Sequence, residues 1–168
     1  MVLSLALAMT SGATSVFAPT SRTLSTPVHD VPLLGAVVDD YARVSRGDLE
    51  ALIGAPEARL SLAEVAGQIV GSSLVVAVAP GRCEIRLMSV DPSFQGEGLG
   101  GQLLSQAEMV AVETFAASHA VIEVLQHKSR LIAYYERRGY RRTDGTRPYP
   151  HLLKVPATFL TFRKQLRP

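Results

Sequence analysis

The sequence has little cysteine, little net charge and no long apolar run, and each shortage excludes a class of protein. One cysteine in 168 residues excludes a disulfide framework and a cysteine-rich zinc site. A formal net charge of +2, without a long run of Lys or Arg, offers no broad basic surface for nucleic acid. The apolar run from Val2 to Met9 is too short to span a bilayer. We therefore expect no metal site, no nucleic-acid partner, no membrane span and a reducing, cytoplasmic setting.

What is present is typical of one folded domain. Apolar residues make up 47% of the chain and charged residues 19%, which is enough apolar material for a packed core. The first 29 residues differ, because they contain no Asp or Glu, one Arg and ten Ser or Thr. We expect residues 1–25 to be a leader, either disordered or a targeting segment that would make the setting organellar. Residues 26–168 are expected to form the single domain.

Apolar spacing and turn residues predict a mixed α/β chain of the α+β type. Helices are predicted, in chain order, over 31–44, 48–53, 99–117 and 131–138. Strands are predicted over 59–66, 69–79, 84–90, 121–125 and 157–163. The first three strands follow one another through tight turns, which indicates an antiparallel meander. Residues 140–156 contain three prolines and are predicted to be a loop.

A glycine-rich turn lies between the third predicted strand and the long helix, with the sequence Gln95-Gly96-Glu97-Gly98-Leu99-Gly100-Gly101. Glycines let the backbone turn tightly and approach a ligand. The N–H groups then lie at the positive end of a helix dipole, which favours a diphosphate. No Gly-Lys-Ser or Gly-Lys-Thr is present for a Walker loop, and Leu103 stands where a dinucleotide fingerprint needs its last glycine. A turn without a ligand stays the alternative.

The turn resembles the signature of the GNAT N-acetyltransferases, which is Gln or Arg, two residues, Gly, one residue, then Gly or Ala. Gln95, Gly98 and Gly100 match it. About forty residues later, Tyr135-Glu-Arg-Arg-Gly139-Tyr140 resembles the family's Tyr-x-x-x-Gly-Phe segment, with Tyr140 in place of Phe. The resemblance implies the GNAT fold, a mostly antiparallel mixed sheet flanked by helices. That sheet would splay between strands 84–90 and 121–125, and acetyl-CoA would enter the wedge.

The resemblance implies transfer of an acetyl group from acetyl-CoA to a primary amine by direct attack, without an acyl-enzyme. The amine would belong to a small molecule or a peptide, and its identity is left open, as is a homodimer. The backbone over Met88, Ser89 and Val90 would line the pantetheine arm and place an N–H near the thioester oxygen. The amides from Gln95 to Gly101 would hold the diphosphate.

The resemblance also assigns two catalytic side chains. Tyr135 matches the family tyrosine that protonates the leaving thiolate, and Glu84 matches a glutamate that acts as general base, directly or through water. Packing of Tyr135 on the sheet and solvation of Glu84 at a strand end are the alternatives. His127 is an alternative base, and Tyr134 is expected to pack.

The sequence departs from the family at the phosphate turn. Many relatives carry Arg or Lys within or just after the turn, where this chain has Glu97 and Gly101. A negative charge beside a diphosphate motivates a competing hypothesis, a catalytically silent GNAT-like module that binds CoA or a partner protein. Cys83 is expected to be a small buried residue rather than an acyl-carrying nucleophile, because no His or Asn pattern accompanies it.

Overall fold

A computed structural model describes residues 16–22, 51–52, 54–66, 68–149 and 157–166. Its main elements are, in chain order, β1 (Val16–Arg22), β2 (Ala58–Val65), β3 (Gln68–Ala79), β4 (Arg82–Val90), α1 (Leu99–Phe115), β5 (His119–Leu125), α2 (Ser129–Arg137), β6 (Arg141–Pro148) and β7 (Thr158–Gln165). The helix predicted over 31–44 lies outside the described residues. β1 falls within the segment predicted to be a leader, and the domain boundary at residue 25 stays a prediction.

The strands form one seven-stranded sheet in the order β1-β2-β3-β4-β5-β7-β6. Two neighbouring pairs, β1 with β2 and β4 with β5, are parallel. The other four pairs are antiparallel. The predicted fold class, a mixed and mostly antiparallel sheet with flanking helices, is confirmed, and so is the meander from β2 to β4.

The apolar face of α1 packs on the sheet at β3 and β4. Leu104, Ala107 and Ala111, which share the predicted face, are almost fully buried. They join one core with side chains of the central strands, including Cys83 and Phe162. Burying a large apolar side chain contributes about 1.5–3 kcal/mol to folding, so this face fixes α1 over the strand that precedes it.

The loop predicted over residues 140–156 is wrong for residues 141–148, which form the edge strand β6. None of the side chains of β6 is buried. The strand is held by backbone pairing with β7, for example Arg142 with Phe162. An edge strand exposed on both faces needs no alternating apolar pattern, so its sequence carries no strand signal. Residues 150–156 lie outside the described part of the chain.

No helix among the described residues is long and apolar enough to cross a membrane.

Candidate active site

The central feature of the site is an opening between two parallel strands. β4 and β5 pair only over their first three residues, and the last pair is Glu84 with Val121. β4 nevertheless stays paired with β3 as far as Val90, and β5 stays paired with β7 as far as Leu125. The sheet therefore splits between β4 and β5, and among the described residues the facing backbone edges have no strand partner there. The predicted splay of the sheet lies at this place.

A β-bulge shapes the β4 side of the opening. The pairing of β3 with β4 shifts register between the pairs that contain Arg86 and Ser89. Leu87, inside that interval, has a left-handed φ of 47°, which is uncommon for a residue with a side chain. Its carbonyl accepts a hydrogen bond of 2.9 Å from the Ser72 hydroxyl. A bulge re-aims the backbone that follows it, and the backbone that follows is the Met88–Val90 segment predicted to line the pantetheine arm.

The chain leaves β4 through a turn that folds back on the strand. Residues Pro92–Phe94 form a short 3-10 helix, and Asp91 caps it by accepting a hydrogen bond from the Ser93 N–H at 2.8 Å. The Gln95 side-chain amide donates to the Val90 carbonyl at 3.1 Å. The signature glutamine thus ties the glycine turn to the end of β4.

Two positions of the glycine turn, Gly96 and Gly98, require glycine for their backbone conformation rather than for space. Gly96 and Gly98 have φ values of 91° and 85°, in the left-handed region that favours glycine. A Cβ atom at either position would meet nothing within 4 Å. Both glycines are exposed, so this part of the turn faces open space that a ligand could occupy.

Gly98 is the N-cap residue of α1, and no side chain forms a capping hydrogen bond there. Its carbonyl accepts hydrogen bonds from the N–H groups of Gly101 and Gln102, at 2.9 and 3.1 Å. No acidic residue lies in the first turn of the helix. The positive end of the helix dipole is therefore not offset by a carboxylate of its own first turn.

The two tyrosines of α2 lie on the same side of the molecule as β4 and the turn. Tyr135 is 4% exposed, and its hydroxyl donates to the sulfur of Met88 at 3.7 Å. The structure thus brings the predicted acid against the predicted pantetheine strand. The Tyr134 hydroxyl is buried and has no hydrogen-bond partner among the described residues. It lies 3.7 Å from the place where a Cβ of Gly100 would stand, and burial raises the pKa of Tyr134.

Tyr140, which replaces the family phenylalanine, has a partner for its hydroxyl. It is 1% exposed and donates to Glu108 of α1 at 3.0 Å. Lys164 of β7 contacts the same carboxylate at 2.9 and 2.7 Å. Burial, and then the neighbouring Glu108 carboxylate, raise the pKa of Tyr140. Its ring packs edge-on against the ring of Tyr135, with ring centroids 5.7 Å apart. This contact helps to fix the position of Tyr135, the predicted general acid.

Glu84 lies at the point where β4 and β5 separate. Its carboxylate forms an ion pair with Arg86, and the Glu84 side chain is 17% exposed. On β5, Glu123 forms an ion pair with Arg147 of β6, and this hydrogen bond raises the pKa of Arg147. The carboxylates of Glu84 and Glu123 therefore each form an ion pair with a guanidinium group.

Two other candidates occupy different places. His127 is exposed in the turn after β5. Cys83 is fully buried in the core, and burial raises the pKa of its thiol to about 11. A raised pKa disfavours the thiolate, which is the nucleophilic form, and the predicted buried position of Cys83 is confirmed. Within the described ranges, no cluster of three His, Cys, Asp or Glu residues could hold a metal ion.

A cavity of about 1000 Å³ lies on another part of the molecule, between α1 and the β6–β7 edge. Its lining includes Glu108, Met109, Arg141 and Lys164. None of the residues predicted to bind acetyl-CoA or to act in catalysis lines this cavity. It is separate from the opening between β4 and β5.

Comparison with known proteins decides the family. The acetyltransferase (GNAT) domain family matches residues 56–142, a range that runs from just before β2 to the start of β6. The chain belongs to the GNAT acetyltransferase family. No curated protein matches its sequence.

Solved structures share the fold of this GNAT acetyltransferase. A GNAT family acetyltransferase from Elizabethkingia anophelis with acetyl-CoA bound has a TM-score of 0.60 and 20% identity, over 73% of this chain and 84% of the other. An IAA acetyltransferase from Bacillus cereus has a TM-score of 0.59 and 16% identity, over 73% and 85%. A protein from Bacillus anthracis in complex with acetyl coenzyme A has a TM-score of 0.59 and 17% identity, over 70% and 68%. At these identities the likeness establishes the fold.

The predicted family, fold and enzyme class of this GNAT acetyltransferase are therefore confirmed. The roles of individual site residues stay predictions. Sequence reasoning did not find the bulge at Leu87, the buried hydroxyl of Tyr134 beside the turn, or the guanidinium of Arg138, which lies over the first turn of α1. Each depends on contacts between distant parts of the chain, and no local pattern marks them.

Proposed function

We propose that this protein acetylates a primary amine, on a small molecule or a peptide, with acetyl-CoA as the acetyl donor. The observation that carries the proposal is the opening between β4 and β5, which leads directly to the glycine turn at the uncapped start of α1. An extended polar arm can follow a backbone edge that lacks a strand partner. An anionic diphosphate fits a helix N-terminus.

The residues around the opening suit the donor in three places. The bulge at Leu87 changes the direction of the backbone that continues as Met88–Val90 beside the gap, so these residues would bind the pantetheine arm and orient the thioester. Gly96 and Gly98 are open above their backbones, so the amides inside the turn would be accessible to the diphosphate. The N–H groups at its two ends, those of Gln95 and Gly101, already donate to the carbonyls of Pro92 and Gly98. The hydroxyl of Tyr134, buried without a described partner, supplies a donor beside the turn.

Tyr135 and Glu84 would carry the proton transfers. The amine nitrogen attacks the acetyl carbon, so that a C–N bond forms and the C–S bond breaks. Tyr135, beside Met88, would give its proton to the departing thiolate. Glu84, at the separation of the strands, would take the proton that the amine nitrogen loses, directly or through water.

The competing proposal is a silent module that binds CoA or a partner protein without turnover. Glu97 supports it, because an exposed carboxylate in the turn opposes an anionic ligand. The two proposals differ in one observable, which is the formation of an acetylated amine.

The test is turnover with a panel of amines that includes an amino acid, a polyamine, an aminoglycoside and a lysine peptide. Release of CoA thiol and the mass of the acetylated product are measured together. We expect one class of amine to give both signals. Tyr135→Phe is expected to lower kcat by about 100-fold, the usual effect of losing a general acid, with little change in KM for acetyl-CoA. Binding of acetyl-CoA without product from any amine would favour the silent module.

A further inference from the structure

The glycine turn has no cationic side chain of its own to balance the charge of an anionic ligand. Residues 91–101 contain no Lys or Arg, and they contain the carboxylates of Asp91 and Glu97. The helix dipole offers only about half a positive charge. A diphosphate bound here therefore needs positive charge from another element.

Arg138, which follows α2, places its guanidinium over the first turn of α1. A Cβ built on Gly101 would lie 2.3 Å from one terminal nitrogen of Arg138, 2.9 Å from the other and 3.0 Å from Cζ. The guanidinium thus occupies the volume that any side chain at position 101 would fill. Gly101 has a helical conformation without a left-handed φ, so its backbone does not require glycine. The close approach of Arg138 is what a larger residue would prevent.

The guanidinium is held in place without being neutralised. Its Cζ lies 5.2 Å from the centre of the Tyr134 ring, a cation–π contact that leaves the N–H groups able to donate. Within the part of the chain that the structure describes, no carboxylate forms an ion pair with Arg138. The residue is exposed. The Tyr134 hydroxyl, buried without a described partner, lies beside Gly100 at the same place.

We propose that Arg138 is the diphosphate-binding cation of this enzyme, supplied from α2 because the turn itself carries none. Gly101 makes room for it, and Tyr134 supports it. The inference rests on the proposed function, since it assigns a residue to the same acetyl-CoA site. The guanidinium lies beside Gly101, the last residue of the turn, and this position favours the diphosphate over a more distant phosphate of the nucleotide.

Isothermal titration with acetyl-CoA tests the assignment, with Arg138→Gln beside Arg137→Gln as the matched control. Arg137 is the preceding residue, is exposed and has no part in the proposed site. We expect Arg138→Gln to raise Kd roughly tenfold, as for the loss of one charge-assisted contact, and Arg137→Gln to leave it within about twofold. Wild type that binds no acetyl-CoA would overturn the proposed function together with this inference. Equal binding by wild type and Arg138→Gln would overturn the inference alone.

Dephospho-CoA, which keeps the diphosphate and lacks the 3′-phosphate, identifies the phosphate involved. The same roughly tenfold loss with this ligand supports the diphosphate. A loss seen with CoA but not with dephospho-CoA overturns that assignment, because the contact would then be to the 3′-phosphate.

Gly101→Ala is a second variant, which displaces the guanidinium of Arg138 without removing its charge. Its Cβ must displace the end of a flexible side chain, while alanine favours the helix, so the variant is expected to fold. Affinity should fall as in Arg138→Gln, and the double variant should be no weaker than either single variant. Additive losses would overturn the claim that Arg138 acts from its place over Gly101.

Discussion

Removing the carboxylate of Glu108 is expected to destabilise the protein more than removing the hydroxyl of Tyr140, which donates a hydrogen bond to that carboxylate. In Glu108→Ala, the hydroxyl of Tyr140, which is 1% exposed, loses its acceptor at 3.0 Å. An unsatisfied buried hydroxyl costs about 1–3 kcal/mol. Lys164 also loses its ion pair, whose two side chains are 27% and 17% exposed, which adds about 0.5–1 kcal/mol. The free energy of unfolding should therefore fall by about 1.5–4 kcal/mol.

Tyr140→Phe removes the hydroxyl together with its need for an acceptor. Glu108 keeps Lys164, so the expected loss is only about 0.5–1.5 kcal/mol. In the double variant no hydroxyl is left unsatisfied, and the loss should be smaller than the sum of the single losses by about 1 kcal/mol or more. Glu108→Gln, which keeps an oxygen acceptor for Tyr140, should lie between wild type and Glu108→Ala.

Urea unfolding followed by far-UV circular dichroism measures these differences as shifts in midpoint at constant slope. A larger loss from Tyr140→Phe than from Glu108→Ala would contradict the assignment of Glu108 as the partner of a buried phenol. Strictly additive losses in the double variant would contradict it as well.

Three further predictions concern the strand, the core and the turn. Gly71→Ala should lower the free energy of unfolding by about 1–3 kcal/mol, because its Cβ would lie 2.8 Å from the backbone oxygen of Ser89; an unchanged urea midpoint would count against this close approach. The wild-type free energy of unfolding should fall from pH 9 toward pH 11, because the unfolded Cys83 thiol ionises near 9.0 while the folded one ionises near 11; this part of the pH slope should be missing in Cys83→Ala, and identical slopes would contradict it. Glu97→Gln should tighten acetyl-CoA binding by roughly two- to fivefold in calorimetry, through removal of one exposed like charge; weaker binding would mean that Glu97 helps to order the turn.

The parts of the fold that the sequence predicted are those in which burial follows a local period. The apolar run over 121–125 lies inside β5, where Ile122 and Val124 are buried. The face of α1 that contains Leu104 and Ala107 is buried as its spacing indicates. In these segments the side chains that make the pattern are the same ones that make the core.

The segments that were missed are held by contacts that no local pattern records. β6 depends on backbone pairing with β7, and its exposed side chains give no alternation. The left-handed φ of Leu87 is imposed by the register shift between two strands. At the site, the glycine spacing locates the turn, but the cation above it comes from Arg138, which only the packing of α2 brings to Gly101.

Calorimetric titration of acetyl-CoA into wild type, Gly98→Asp and Gly98→Asn decides whether the glycine turn is the donor site. Both variants place a similar side chain at φ 85°, and Asn and Asp both tolerate this conformation better than other residues do. They differ in charge at the start of α1. We expect a Kd on the order of micromolar for wild type, at least a tenfold loss for Gly98→Asp and a much smaller loss for Gly98→Asn. Unchanged binding in Gly98→Asp, or no binding in wild type, would contradict the assignment of this turn to the diphosphate of acetyl-CoA.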